Sequence, residues 1–305
     1  MTKTTMIMLS AMYENGGNTT HRFLDGHPEL FVYPFESQLG NDRSPDYLTS
    51  LFPFKYRWPD FPISGTPEEY YELFFDEEMK VRLRVPHVSK FRDAKMDLPE
   101  ADRKKAFVAA LKGKKLTRGA IVEAFFEATF AAWTDYPKSG REHCYVGYSP
   151  IIGVDSEKIL TDYPNSHVIH VVRNPYSAFA DTSKRPFPLS LYRYSMTWSV
   201  MQLYATTFAS RFPDRLHILR FEDLVADPRG SMEKLAKKLG IAFSDTMLYA
   251  SWGGARLKEV YPWGTIRTPT PEANMATLRE LTAEQRAEIK SITLPMLKEF
   301  GYLDL

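Results

Sequence analysis

A glycine-containing turn near the start of the chain has the composition of an anion-binding loop. The segment Ser10–Thr20 reads Ser-Ala-Met-Tyr-Glu-Asn-Gly-Gly-Asn-Thr-Thr and follows a short apolar run, Thr5–Leu9. Where such a turn joins a strand to a helix, backbone N–H groups converge on one point and the helix dipole favours an anion there. The side chains of Asn18, Thr19 and Thr20 can add donors. A simple strand–helix turn without a ligand explains the same residues, so both interpretations stay open.

A second candidate for phosphate chemistry is Arg173, which directly follows the strand predicted at His167–Val172. Pro175 then opens a helix, as proline commonly does at a first helical position. A guanidinium at the end of a strand can bind a phosphate through two parallel hydrogen bonds. The alternative is a surface arginine at the edge of the sheet.

The third motif, Leu219-Arg-Phe-Glu-Asp-Leu224 followed by Asp227-Pro228, has a structural explanation. A predicted strand, Leu216–Arg220, feeds into a helix that Asp227 caps and that continues to Leu239 before a glycine stop.

Strands that alternate with helices must position these residues. A second strand is predicted at Leu30–Tyr33, and further helices are predicted at Thr19–Asp25, near 67–80, 99–112 and 117–133, over 191–208, and from Thr282 to about Gly301. This alternation predicts an α/β fold of P-loop type, with a mainly parallel sheet flanked by helices. Such sheets bind ligands at the carboxyl ends of their strands, where the glycine turn and Arg173 both lie.

Composition narrows the class of protein. The 305 residues fit one domain, and 39 basic against 38 acidic residues argue against a nucleic-acid partner. One cysteine, Cys144, excludes an intrachain disulfide, and the apolar run at the N-terminus is too short for a signal peptide or a membrane span. We therefore expect a cytoplasmic protein without a membrane partner.

Taken together, the motifs resemble those of the sulfotransferase superfamily that uses 3′-phosphoadenosine 5′-phosphosulfate (PAPS), in its carbohydrate- and tyrosylprotein-acting branch. The resemblance rests on His21-Arg-Phe-Leu-Asp-Gly-His-Pro-Glu-Leu30, on Val168–Pro175, and on Leu219–Leu224 with Asp227-Pro228. It covers roughly residues 5–40 and 145–240, and Leu281–Tyr302 is also similar to the family's C-terminal part. One domain, 1–305, is implied, with the aromatic-rich segment 41–142 as a variable insertion on the acceptor side.

The resemblance also implies roles for individual residues. The loop of Asn15, Gly16, Gly17, Asn18, Thr19 and Thr20 would surround the 5′-phosphosulfate, and Arg173 with Ser177 would bind the 3′-phosphate. Glu36 would be the general base for a hydroxyl of a carbohydrate or small-molecule acceptor, with Glu29 as its rival. Arg267 would bind the donor. No metal is expected.

Five residues depart from the family pattern. Glu14 stands where the loop normally has arginine or lysine, and Gly17-Asn18 where it has two threonines. Tyr148 replaces a lysine, and Asp181 replaces a serine eight residues after the 3′-phosphate arginine. Because a carboxylate repels a phosphate, two further functions stay open. The protein can bind a nucleotide without transferring sulfate, or it can transfer a phosphoryl group on the same scaffold.

Overall fold

The computed structural model describes residues 3–43, 47–257 and 270–305. At its centre lies a sheet of five parallel strands in the order β2-β3-β1-β4-β5. These strands are β1 (Met6–Ala11), β2 (Leu30–Val32), β3 (Cys144–Tyr148), β4 (Ser166–Val172) and β5 (Leu216–Arg220). A short antiparallel hairpin pairs β6 (Ser251–Trp252) with β7 (Ala255–Arg256).

Helices fill the connections between the strands. They are α1 (Gly17–Leu24), α2 (Pro67–Leu73), α3 (Glu77–Arg84), α4 (Glu100–Leu111), α5 (Arg118–Ala132), α6 (Ser156–Asp162), α7 (Pro175–Thr182), α8 (Leu191–Arg211), α9 (Phe221–Ala226), α10 (Pro228–Leu239), α11 (Pro271–Ala276) and α12 (Ala283–Glu299). The predicted α/β fold, a parallel sheet flanked by helices, is confirmed.

The alternation of side chains along β1 shows that both faces of the sheet are covered. Met6 and Met8 pack into a cluster with α4 and α5, whereas Ile7 and Leu9 pack into a second cluster with α1, α9 and α10. Every residue of β1 is buried, and the strand is apolar except for Ser10 rather than alternating in polarity.

The order of the strands defines where a ligand can enter. From β1 the chain moves to β2 and β3 on one side of the sheet, and later to β4 and β5 on the other. A crevice therefore opens between the loops that follow β1 and β4, and such switch points are the usual ligand sites of open α/β sheets. The glycine loop follows β1, and Arg173 follows β4.

Helix α2 and helix α3 replace the single helix predicted near 67–80. The break lies at Asp76, whose backbone has a left-handed φ of 40°. Its buried carboxylate accepts hydrogen bonds from Arg103 Nη1 and from the Tyr33 hydroxyl, both at 2.6 Å. The ion pair between Asp76 and Arg103 joins residues that are distant in sequence. The local periodicity that predicted one helix therefore does not reveal the break.

Among the residues described, none of the helices combines the length and the apolar character that a membrane crossing requires.

Candidate active site

The glycine loop has the backbone geometry of a tight turn. Glu14 has φ of 58° and Gly16 has φ of 87°, so both residues are left-handed. A Cβ atom on Gly16 would lie 2.2 Å from the ring of Phe221. Gly16 supplies no side-chain cap to α1, and the first backbone N–H groups of a helix have no partner within the helix itself.

Tyr148, at the end of β3, packs directly on this loop. A Cβ atom on Gly17 would lie 2.7 Å from the Tyr148 hydroxyl, so only glycine permits the contact. Burial raises the pKa of Tyr148 well above its usual value, and the nearby charges of Glu36 and Glu14 add to the effect. The position that holds lysine in the family pattern is therefore a neutral hydroxyl here.

Asn15 ties the loop to its neighbours. Its Oδ1 accepts hydrogen bonds from the Arg173 backbone N–H at 3.0 Å and from Trp198 Nε1 at 3.2 Å. Its Nδ2 donates to the Tyr194 hydroxyl at 3.1 Å. The buried side chain therefore fixes the loop against β4 and α8, while the hydroxyl of Thr20 donates back to Gly16 O. Asn18 and Thr19 are half-buried.

Arg173 lies against the same loop, and its guanidinium is surrounded by acceptors of the protein. Nη1 donates to Glu14 O at 3.0 Å and to the Asp181 carboxylate at 2.8 Å. Nε donates to Asn274 Oδ1 at 2.5 Å, and Nη2 donates to Asn274 O at 3.3 Å. A phosphate that binds Arg173 must therefore replace one of these acceptors, of which Asp181 alone carries a charge.

Ser177 stands one turn into α7, behind Arg173. Its backbone N–H donates to the Asn174 side chain, which caps the helix. The Ser177 hydroxyl is buried and makes no hydrogen bond to any part of the chain that the structure describes. By contrast, the hydroxyls of Thr182 and Ser183 donate to carbonyls of their own helix.

Arg185 is a residue of the site that the sequence analysis missed. It lies between α7 and α8, and its Nε and Nη2 both donate to Glu14 Oε1, at 2.9 and 2.5 Å. Its guanidinium also lies 5.4 Å from the centre of the Tyr13 ring. The carboxylate of Glu14, which departs from the family pattern, thus binds Arg185, which comes from a segment without a recognisable motif.

Glu36 lies four residues after the end of β2, which is an edge strand of the sheet. It forms a hydrogen bond with Tyr56, and its charge adds to burial in raising the pKa of Tyr56. Burial, and then the charge of Glu36, raise the pKa of Tyr13 to about 12. The charge of Glu36 also acts on the guanidinium of Arg185. Glu36 is therefore within electrostatic reach of the glycine loop, Tyr148 and Arg185.

Glu78, from α3, is a second carboxylate beside Glu36 that the sequence analysis missed. Its Oε2 accepts the Glu36 backbone N–H at 3.1 Å, and its Oε1 lies 2.5 Å from Lys90 Nζ. Burial raises the pKa of Glu78 to about 7, and the charge of Glu36 contributes further. No periodicity in residues 67–90 marks this residue, because its neighbours are distant in sequence.

The rival carboxylate, Glu29, lies elsewhere. It precedes β2, at the amino end of the sheet, and its Oε2 accepts the Ala242 backbone N–H at 3.2 Å. Glu29 and Glu36 therefore stand at opposite ends of β2, and only Glu36 is near the loop.

Four other basic residues in the described part of the chain contact acidic or polar groups outside the glycine loop. Lys55 pairs with Glu77, Arg84 pairs with Glu72 and Glu100, and Arg43 lies 3.9 Å from Asp42. Arg22 is buried beside His21 and Tyr33 O. Lys258 and Arg267 lie outside the described residues. Within residues 3–43, 47–257 and 270–305, no group of three or more His, Cys, Asp or Glu side chains is arranged to hold a metal ion.

The fold and the site define a class: an α/β protein with a glycine-containing loop after its central strand. Residues 16–245 match the sequence profile of the sulfotransferase family, and the chain belongs to that family. The predicted family is confirmed. No curated protein matches the chain in sequence.

Two solved structures are similar to the chain along almost its whole length. The sulfotransferase domain of the Synechococcus PCC 7002 olefin synthase is 17% identical with a TM-score of 0.56, and the match covers 96% of this chain and 95% of that one. The sulfotransferase domain of the curacin biosynthetic pathway is 18% identical with a TM-score of 0.53, and the match covers 99% of both chains. At this identity, the likeness establishes the fold.

Proposed function

We propose that the chain transfers the sulfuryl group of PAPS to a hydroxyl of a carbohydrate or small-molecule acceptor. The observation that carries the proposal is the direct contact between the glycine loop and Arg173, with Glu36 nearby. Arg173 donates to Glu14 O and to Asn15 Oδ1. Two phosphate-binding elements that touch at the switch point of the sheet suit one nucleotide with two phosphate groups.

In this proposal the first turn of α1 binds the 5′-phosphosulfate, and Arg173 with Ser177 binds the 3′-phosphate. The buried hydroxyl of Ser177, which has no partner within the described chain, supports a polar ligand beside it. Arg185 supplies the positive charge that the loop itself lacks, since it already lies at Glu14. Residues 41–142 form the acceptor side.

The transfer needs little covalent chemistry from the protein. Glu36 takes the proton of the acceptor hydroxyl, the oxygen attacks sulfur in line, and the bond from sulfur to the phosphate oxygen breaks. The electron pair leaves with 3′-phosphoadenosine 5′-phosphate (PAP). Donors that already point at the leaving oxygen stabilise this charge, and the first turn of α1 and Arg185 are the candidates.

Two observations favour the second candidate, a nucleotide-binding protein that does not transfer sulfate. The Asp181 carboxylate already accepts a hydrogen bond from Arg173, and Tyr148 is a neutral residue where the family pattern has lysine. Losing a charge-assisted donor to a transferring group costs about 10²-fold in rate.

The test is transfer of ³⁵S from labelled PAPS to a panel of sugars, phenols and alcohols. We expect label on at least one acceptor with the wild-type protein and none with Glu36→Gln, while both bind PAP equally. Glu29→Gln, the matched control at the other end of β2, should keep wild-type transfer. Tight PAP binding without any transfer by the wild type would replace the first candidate with the second.

A further inference from the structure

The start of α3 is fixed beside the end of β2 by buried charges. Asp76 accepts hydrogen bonds from Arg103 and from Tyr33, the residue that follows β2. Glu78 comes two residues later, and its backbone N–H donates to Gln38 Oε1 at 3.3 Å. The backbone at Glu78 is therefore held against the segment that carries Glu36, independently of any ligand.

The carboxylate of Glu78 connects two different elements. One oxygen accepts the backbone N–H of Glu36, and the other pairs with Lys90. Only 8% of the Glu78 side chain is exposed, whereas that of Lys90 is 54% exposed. Both oxygens of Glu78 are thus engaged, which leaves Glu36 as the carboxylate available to an acceptor.

Among the described residues, Glu78 interacts electrostatically with Glu36, Lys90, Tyr56 and Tyr148. Glu36 and Lys90 act on it directly, and its own charge acts on Tyr56 and Tyr148. Burial and Glu36 favour the protonated form of Glu78, while Lys90 favours the ionised form. These opposed effects give a pKa of about 7, so a small change in pH alters the charge that holds Glu36.

We propose that Glu78 is a positioning residue for Glu36: its ionised carboxylate, held by Lys90, fixes the backbone of Glu36 for transfer, and protonation releases it. The inference rests on the proposed function, because Glu36 needs a fixed position only if it takes a proton from an acceptor. It adds a residue from residues 41–142 to the catalytic side of the crevice.

The hydrogen bond is tested without any activity, by NMR of the full-length labelled protein. The amide signal of Glu36 and the side-chain carboxyl signal of Glu78 should titrate with one shared midpoint near pH 7. Lys90→Met should move this midpoint to higher pH, because it removes the charge that favours ionisation. Glu36→Gln should lower the midpoint of Glu78, because it removes a negative charge. The proposal is overturned if the Glu36 amide signal does not change with pH. It is also overturned if that signal titrates in Glu78→Gln as it does in the wild type.

The positioning role is tested by the pH dependence of kcat. If one ionisation controls transfer, wild-type kcat falls about tenfold from one pH unit above the midpoint to one unit below it. Glu78→Gln, which cannot titrate and offers Lys90 no negative charge, should lose this fall and keep a low kcat at every pH. Glu77→Gln, an adjacent residue in an exposed pair with Lys55, should keep it.

The two failures are distinguishable. If Glu78→Gln keeps the wild-type fall of kcat at low pH, the positioning role of Glu78 is overturned, while the sulfotransferase reaction stays in place. A wild-type protein that shows the coupled titration but no transfer at any pH overturns the proposed function and, with it, the role, while leaving only the hydrogen bond.

Discussion

Asp181 and Glu14 are the residues that most distinguish this site from a simple phosphate pocket. Both are carboxylates near the crevice, and each is bound by an arginine: Asp181 by Arg173, and Glu14 by Arg185. A carboxylate that remains within about 4 Å of a phosphate costs several kcal/mol at protein-like dielectric. In the proposed function, donor binding therefore depends on whether the nucleotide displaces the Asp181 carboxylate from Arg173.

Replacing Asp181 by serine should strengthen donor binding. The change removes a negative charge and frees one donor of Arg173, so we expect the Kd for PAP to fall by about tenfold. Isothermal titration of Asp181→Ser and the wild type measures the difference. Asp214→Ser, at an exposed position, is the control and should bind as the wild type does. Weaker binding by Asp181→Ser would mean that Asp181 orients Arg173 for the ligand.

Sequence reasoning at this scale found the residues that lie next to a strand. The glycine turn and Arg173 each follow an apolar run, so parallel-sheet geometry predicted that they would meet. Arg185 and Glu78 could not be found in this way. Arg185 reaches the loop through a contact with Glu14, and Glu78 reaches Glu36 from α3, and both contacts depend on tertiary packing.

At the scale of elements, buried ion pairs fix residues 41–142, one to the segment after β3 and one within the range itself. Arg57 makes a bidentate contact with Asp155 at 2.7 and 2.9 Å, and Arg103 binds Asp76 at 2.6 Å. All four side chains are at most 3% exposed. Removing one partner of such a pair leaves a buried charge without compensation.

Asp76→Ala should therefore destabilise the protein by about 3–5 kcal/mol, because it removes the carboxylate that accepts hydrogen bonds from Arg103 and the Tyr33 hydroxyl. The free energy of unfolding in urea measures the effect. Asp102→Ala, at an exposed position of α4, should change it by less than about 0.5 kcal/mol. Equal effects of the two substitutions would contradict the role given to the Asp76–Arg103 pair.

The elements that were predicted well are those with a strong local signal. Pro175, Asp227-Pro228 and the Thr282–Gln285 capping box mark the starts of α7, α10 and α12. Strand β3 and helix α6 were not predicted, because neither carries a start signal comparable to these. Helix α11 follows the segment that the structure leaves undescribed, and its Asn274 contact with Arg173 had no counterpart in the sequence analysis.

At the scale of the whole molecule, buried neutral histidines make stability depend on pH. Burial lowers the pKa of His170 to about 4, although its hydrogen bond with Gln202 opposes the shift. Burial, and then the neighbouring His167, lower the pKa of His217 to about 4. Because the unfolded chain protonates these groups near the ordinary histidine pKa of 6.5, it binds more protons than the folded chain between about pH 6.5 and 4.

We therefore expect the free energy of unfolding to fall as pH falls from about 6.5 to 4. His170 should contribute a few kcal/mol of this loss, while the raised pKa of Glu78 opposes it between its ordinary value and about 7. Urea unfolding at several pH values measures the slope, and His170→Asn should reduce it. A His170→Asn slope equal to that of the wild type would show that His170 is already neutral or already protonated in both states.

The central claim is that the glycine loop and Arg173 together bind one nucleotide with phosphates at both ends. Its most direct test is calorimetric titration of the wild type and Arg173→Met with PAP and with adenosine 5′-monophosphate, which lacks the 3′-phosphate. We predict that the wild type binds PAP at least about tenfold more tightly than the monophosphate, and that Arg173→Met loses this preference. Equal affinity of the wild type for both ligands, or no binding of PAP, would contradict the claim.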